Sequence, residues 1–397
     1  MKKRIIHTKQ KKLNFLIIIS VLSLALLAVS PAYCNDSNNS SASQTGPVLK
    51  LIPTSTTGES GFSRLVLVSE DNSGPLPKIE QYVDILYTLG GFGVAFLILL
   101  MYRRMASKEQ ELIENPPKDL YSRKIWKIVG LEDINLEKFE AKRIRLFTAI
   151  PVICIALAEL LIYADKTEFG ILIHIGILIA FALSNLYIKD LKIYRIYQAL
   201  MFLPILRLVN LSMPVFFATT LYTFIFVYGP LLIALVIIVI NQRHSFEHLG
   251  ITTNNLLAYT ILSIPLSFLL GFGEYRVIKP EYLIPDLSIG NLLILTIIMV
   301  FFVGLVEELI FRSFLQNRLE DALGVKEAVL IAGLLFGLMH SGYGTFYEVL
   351  YTGFVGLFMG FAFYKTRSLP FVVLIHGLVN VFLFGILPHY FSGWTGF

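Results

Sequence analysis

Ten stretches of this chain are apolar for about 20 residues each, the length a helix needs to cross the hydrocarbon core of a bilayer. They run at about 80–102, 145–164, 169–188, 197–215, 217–240, 254–273, 292–311, 327–343, 345–364 and 370–388. A span that recurs this often implies an all-α fold, a polytopic transmembrane helical bundle whose setting is the lipid bilayer. Composition agrees: of 397 residues, 55% are hydrophobic and only 15% charged. The formal net charge of +5 does not indicate a nucleic-acid partner. The basic residues lie in short loops beside the apolar runs, where they face anionic lipid. Cys34 and Cys154 are the only cysteines, too few for a disulfide framework or a thiolate metal site.

The segments divide as follows. Residues 1–34 combine a basic start, an apolar run and small residues near Ser30 and Ala32, which reads as a signal peptide or an N-terminal anchor. Residues 35–78 are a polar external segment with one short strand expected at "RLVLV". A transmembrane helix follows at 79–102, then a cytoplasmic amphipathic linker at 103–144 in which "ENPPKD" interrupts a helix. Residues 145–289 are accessory transmembrane helices, and 290–390 form a four-helix block. Counting Lys and Arg on the two sides of this arrangement gives 26 on the side of the N-terminus and 6 on the other, with Arg207 inside a span. That asymmetry puts the N-terminal side and 103–144 in the cytoplasm of a multi-pass cell-membrane protein, and 35–78 and the C-terminus outside.

Ionised groups in a span cost several kcal/mol unless they are paired or used. The C-terminal block nonetheless holds "GLVEELIFRSF" at the end of an apolar run. In a helix Glu308 and Arg312 are four apart and share a face, while Glu307 is turned about 100° away. The two glutamates therefore have different jobs open to them: Glu308 pairs with Arg312, and Glu307 is left available as a base. The next span ends in "LLFGLMHSGYG", with Phe336 and His340 on one face. A hairpin turning at Gly324 brings Glu307 and His340 to the same depth, because both lie the same number of residues from the turn. Two spans later "LIHGLVN" sets His376 and Asn380 on one face, and the span between offers Gly353, Gly356 and Gly360 for close packing. Glu159, His174 and Arg207 read as isolated helix contacts. His244, His248 and His389 lie in loops without a visible partner.

These three motifs, "EELIFR", "FGLMH" and "HGLVN" in that order on the first, second and fourth spans of the block, resemble the CPBP intramembrane protease family, which includes type II CAAX prenyl endopeptidases and bacteriocin-processing and self-immunity proteins. The resemblance covers about residues 290–390. It implies an intramembrane endopeptidase acting on a membrane-associated protein or peptide, without a cofactor. Glu307, assisted by His340, is then the base that activates a water, and His376 and Asn380 stabilise the oxyanion. Glu308 and Arg312 orient Glu307 or the substrate, and Phe336 supports them. An alternative makes the protein a metalloprotease, with zinc held by Glu307, His340 and His376, although no His-Glu-x-x-His signature is present. A proton or ion transporter and a non-catalytic immunity or scaffold protein are the readings from other classes. Glu307→Gln separates them, since binding and scaffolding survive a near-isosteric loss of the base.

Overall fold

The structure, a computed structural model, describes residues 49–52, 64–67, 78–115, 136–216, 221–241 and 246–391. Strands β1 (Leu49–Ile52) and β2 (Arg64–Leu67) pair antiparallel, Leu49 opposite Leu67, so the strand expected at "RLVLV" is β2. The signal or anchor segment 1–34 lies outside the described residues, with Cys34, His7 and His244.

Eleven helices follow among the described residues. They are α1 (Lys78–Glu114), α2 (Leu136–Tyr163), α3 (Thr167–Tyr187), α4 (Leu191–Leu200), α5 (Phe202–Phe216), α6 (Thr223–Asn241), α7 (Leu256–Ile278), α8 (Ile289–Leu323), α9 (Val325–Leu338), α10 (Phe346–Thr366) and α11 (Leu369–Phe391). Seven are long and apolar enough to cross a membrane: α2, α3, α7, α8, α9 with its terminal turn, α10 and α11. The apolar run in α6, Thr223–Val239, is shorter. The protein is an all-α polytopic bundle with a small hairpin.

Three local features refine the sequence reading. Within 103–144, helix reaches in from both sides of the interruption expected at "ENPPKD": α1 runs through to Glu114 and α2 starts at Leu136. The run at 197–215 is not one helix but α4 and α5, parted at the buried Met201. The Gln198 carbonyl, which a continuous helix would offer to residue 202, accepts instead from the Tyr102 hydroxyl at 2.7 Å. Third, α8 extends well past the apolar run to residue 323, so Glu307 sits near its midpoint rather than at its end. Its last turns carry polar side chains inward. Gln316 donates to the Gly360 carbonyl at 2.9 Å and Asn317 to that of His248 at 2.7 Å.

The bundle has two recognisable ends. At one, Ser313 donates to the Leu249 carbonyl (2.6 Å), the Leu369 N–H to Gly250 (2.7 Å), and Arg367 to Asn317 (3.1 Å). Arg195 pairs with Glu109 at this end as well (2.6 Å). At the other, Glu159 and Arg207 meet the turn after α9. Thus α4 and α5 together make one traverse. Close backbone approach sets the depth of the C-terminal helices. A Cβ on Gly337 of α9 would lie 2.5 Å from the Gly353 Cα of α10, and one on Gly377 of α11 would lie 2.6 Å from the Val300 Cα of α8. Only hydrogen atoms fit there, which is how membrane helices gain contact without a hydrophobic drive.

Candidate active site

The site is built from α8 outward. Residues Ile298–Gly304 and Leu309–Gln316 are wound as π-helix, with a single α-turn, Leu305–Glu308, between them. Wide turns of this kind cluster at functional positions because they re-aim side chains that a regular helix would bury elsewhere. Glu307 and Glu308 stand on the α-turn between the two.

Glu308 is fully buried and doubly held. Its Oε2 accepts from Arg312 Nε at 2.8 Å, the expected pair, and its Oε1 accepts from His376 Nδ1 at 2.9 Å. A carboxylate on Nδ1 fixes the plane of the imidazole and directs its other nitrogen outward. That nitrogen, Nε2, lies 3.9 Å from Glu307 Oε2. The opposite oxygen of Glu307, Oε1, accepts from the Tyr228 hydroxyl of α6 at 2.7 Å. His376 therefore stands between the two glutamates, brought there by the close contact of Gly377 with Val300.

His340 ends α9. Its Nδ1 donates to the Phe336 carbonyl at 2.9 Å, and its backbone lies at φ −96° and ψ 9°, a sparsely populated region where many active-site residues are found. Its ionisable neighbours are Glu307, His376 and Arg207. Phe336 is the hub of the cluster, its ring centroid 5.0 Å from that of His340, 5.6 Å from His376 and 5.1 Å from Phe311, with the Arg312 guanidinium above it at 5.2 Å. Asn380 is buried one turn past His376 on α11. Glu307, Glu308, Arg312, Phe336, His340 and His376 thus gather in one place.

The sequence reading missed several neighbours. Tyr228 gave no signal, being one tyrosine in an apolar run. Glu274 of α7 and Glu348 of α10 are buried, face each other, and lie near His376 and Glu307; two more acids inside spans were the available clue. Glu159, His174 and Arg207, read as isolated, meet one another. His389 is not without a partner either: its Nε2 is 3.0 Å from the Ile284 carbonyl, and its ring stacks on Tyr282.

Among the described residues, no three His, Cys, Asp or Glu side chains are gathered as a metal site, the set Glu307, His340 and His376 included.

Residues 289–382 match the family model described as type II CAAX prenyl endopeptidase Rce1-like, which spans α8 to α11 and all seven motif residues discussed above. The curated proteins and the solved structures give no match. The C-terminal block is thus similar, over residues 289–382, to Rce1-like type II CAAX prenyl endopeptidases.

Proposed function

We propose that this block hydrolyses a peptide bond in a membrane-associated protein or peptide by general-base catalysis at Glu307. The observation that carries the reading is the convergence on one carboxylate: Tyr228 on one oxygen, His376 Nε2 facing the other, and the Glu308–Arg312 pair behind the imidazole. Two adjacent glutamates with different partners take different roles. Glu308, held by Arg312 and His376, orients; Glu307 is left to act on a water. Glu307 takes a proton from that water as its oxygen attacks the scissile carbonyl carbon, and the carbonyl oxygen becomes an oxyanion. His376 Nε2–H and the Asn380 amide donate to it. Collapse of the intermediate breaks the C–N bond, and Glu307 returns the proton to the leaving amine. His340, facing Glu307, assists this transfer.

No step in this reading requires a metal. The zinc alternative predicts that dialysis against a strong chelator abolishes cleavage and that added zinc restores it; persistence of activity is the expected result.

The family description is that of a CAAX prenyl endopeptidase, so a fluorescence-quenched farnesylated CAAX peptide in vesicles is the first probe, beside a proteomic search for uncleaved membrane precursors. Wild type should cleave, and Glu307→Gln should not, while still binding. Undiminished cleavage by Glu307→Gln would return the cluster to a structural ion pair.

A further inference from the structure

Arg207 is an arginine inside the bundle, 4% exposed, contributed by an accessory helix outside the matched block. Its Nε donates to Glu159 Oε1 at 2.8 Å, and its Nη2 to Glu159 Oε2. His174 Nε2 adds a third contact to that carboxylate at 3.1 Å. Glu159 and His174 have no exposure at all. An ion pair this deep is weak evidence of stabilisation, since desolvation opposes the attraction and apolar residues of similar volume commonly serve as well. What distinguishes this pair is its other side.

The same Nη2 donates to the Met339 carbonyl and lies 3.3 Å from Ser341 Oγ, while Ser341 Oγ donates to Glu159 Oε2 at 2.6 Å. Met339 and Ser341 are the two residues flanking His340. A Cβ added to the next residue, Gly342, would meet Arg207 Nη1 at 3.5 Å, so the guanidinium packs along the whole turn. The contacts on Met339 and Ser341 hold the backbone on both sides of His340.

We infer that Glu159 and Arg207, on α2 and α5, form a positioning clamp that fixes the His340 turn through Met339 and Ser341, making the accessory helices part of the active site's geometry. The inference rests on the proposed role of His340. It gives the accessory region a task beyond anchoring: holding the imidazole at the angle from which it assists Glu307. Neither residue touches the reacting atoms, so the effect acts on turnover and leaves substrate affinity alone. Displacement of a positioned group by about 1 Å costs roughly 100-fold in rate.

Two full-length variants test it. Glu159→Met/Arg207→Met replaces the buried pair by apolar volume, which preserves folding while deleting the clamp. Ser341→Ala removes one attachment to the turn and leaves the ion pair intact. Each is read by detergent melting temperature, by kcat and KM on the farnesylated CAAX probe, and by the ring 15N resonances of His340 in 15N-histidine-labelled protein, assigned by their loss in His340→Gln. Expected are a melting temperature near that of wild type, a shifted His340 signal in both variants, kcat lower by roughly 100-fold in the double variant with KM unchanged, and a smaller fall in Ser341→Ala. Should the double variant fail to fold, Ser341→Ala decides: a well-folded protein with an unmoved His340 signal overturns the clamp. A moved signal with wild-type kcat overturns its link to turnover. If Glu307→Gln cleaves the probe, or wild type does not, it is the catalytic reading that has failed, and the His340 signal alone then decides the clamp.

Discussion

The Tyr228 hydroxyl donates to Glu307 Oε1 at 2.7 Å, joining α6 to the glutamate proposed as base from across the bundle. Hydrogen bonds to charged groups contribute about 1.5–3 kcal/mol. Tyr228→Phe removes the donor and keeps the ring, so turnover should fall by roughly 10- to 100-fold with little change in melting temperature. A rate indistinguishable from wild type on a cleaved substrate would make the contact incidental.

Asn380 and His376 are assigned the same oxyanion, with different supports. Asn380→Ala removes one donor and should lower kcat by roughly 100- to 1,000-fold, leaving measurable activity. His376→Ala should be worse, because it also takes a partner from Glu308. Steady-state kinetics on the two variants check the ranking, and an Asn380→Ala enzyme of full activity would remove it from the site.

Arg312→Ala is expected to fail by a different route. The guanidinium is fully buried against Glu308 and Phe336, and its loss leaves a buried carboxylate held by His376 alone. Breaking a buried pair costs about 3–5 kcal/mol, so the defect should be visible as a lowered thermal midpoint in detergent before any substrate is added. An inactive variant with unchanged stability would instead place Arg312 on the substrate.

Much of this was legible because membrane helices expose their polar exceptions. Glu307, Glu308, Arg312, His340, His376 and Asn380 stand out from apolar runs, and equal distance from the Gly324 turn predicted that Glu307 and His340 share a depth. Tyr228 escaped because an aromatic residue inside a span is as consistent with packing as with function. Arg207 escaped for another reason: its partners Glu159 and Ser341 are far apart in sequence, and no spacing rule links α2, α5 and the turn after α9. The Gln198 carbonyl beside the break at Met201 is met by the hydroxyl of Tyr102, on a helix far earlier in the chain. Long-range side-chain contacts of this kind leave no periodic trace.

A prediction of sidedness combines the basic-residue count with the two ends of the bundle. Leu249, Arg367 and Arg318 near the end of α8 gather at one end, with Arg195 and Glu109. A reporter inserted at 116–135 should be cytoplasmic, and one fused after Phe397 should lie outside. A cytoplasmic C-terminus would mean that α4 and α5 do not make one traverse.

The two π segments of α8 have a consequence for how this helix tolerates change in length. A π turn accommodates one residue more than an α turn, so each segment behaves as a regular helix carrying an inserted residue. Deleting one residue from Leu309–Gln316 should let the backbone relax to ordinary winding while the residues beyond the deletion keep their facing, so that Asn317 stays turned inward. The same deletion in an ordinary α stretch such as α9 would swing everything beyond it by about 100°. The wide turns are thus where this helix can change its length at least cost to its register, and relatives that keep the glutamate pair should differ in length there more readily than elsewhere in the helix.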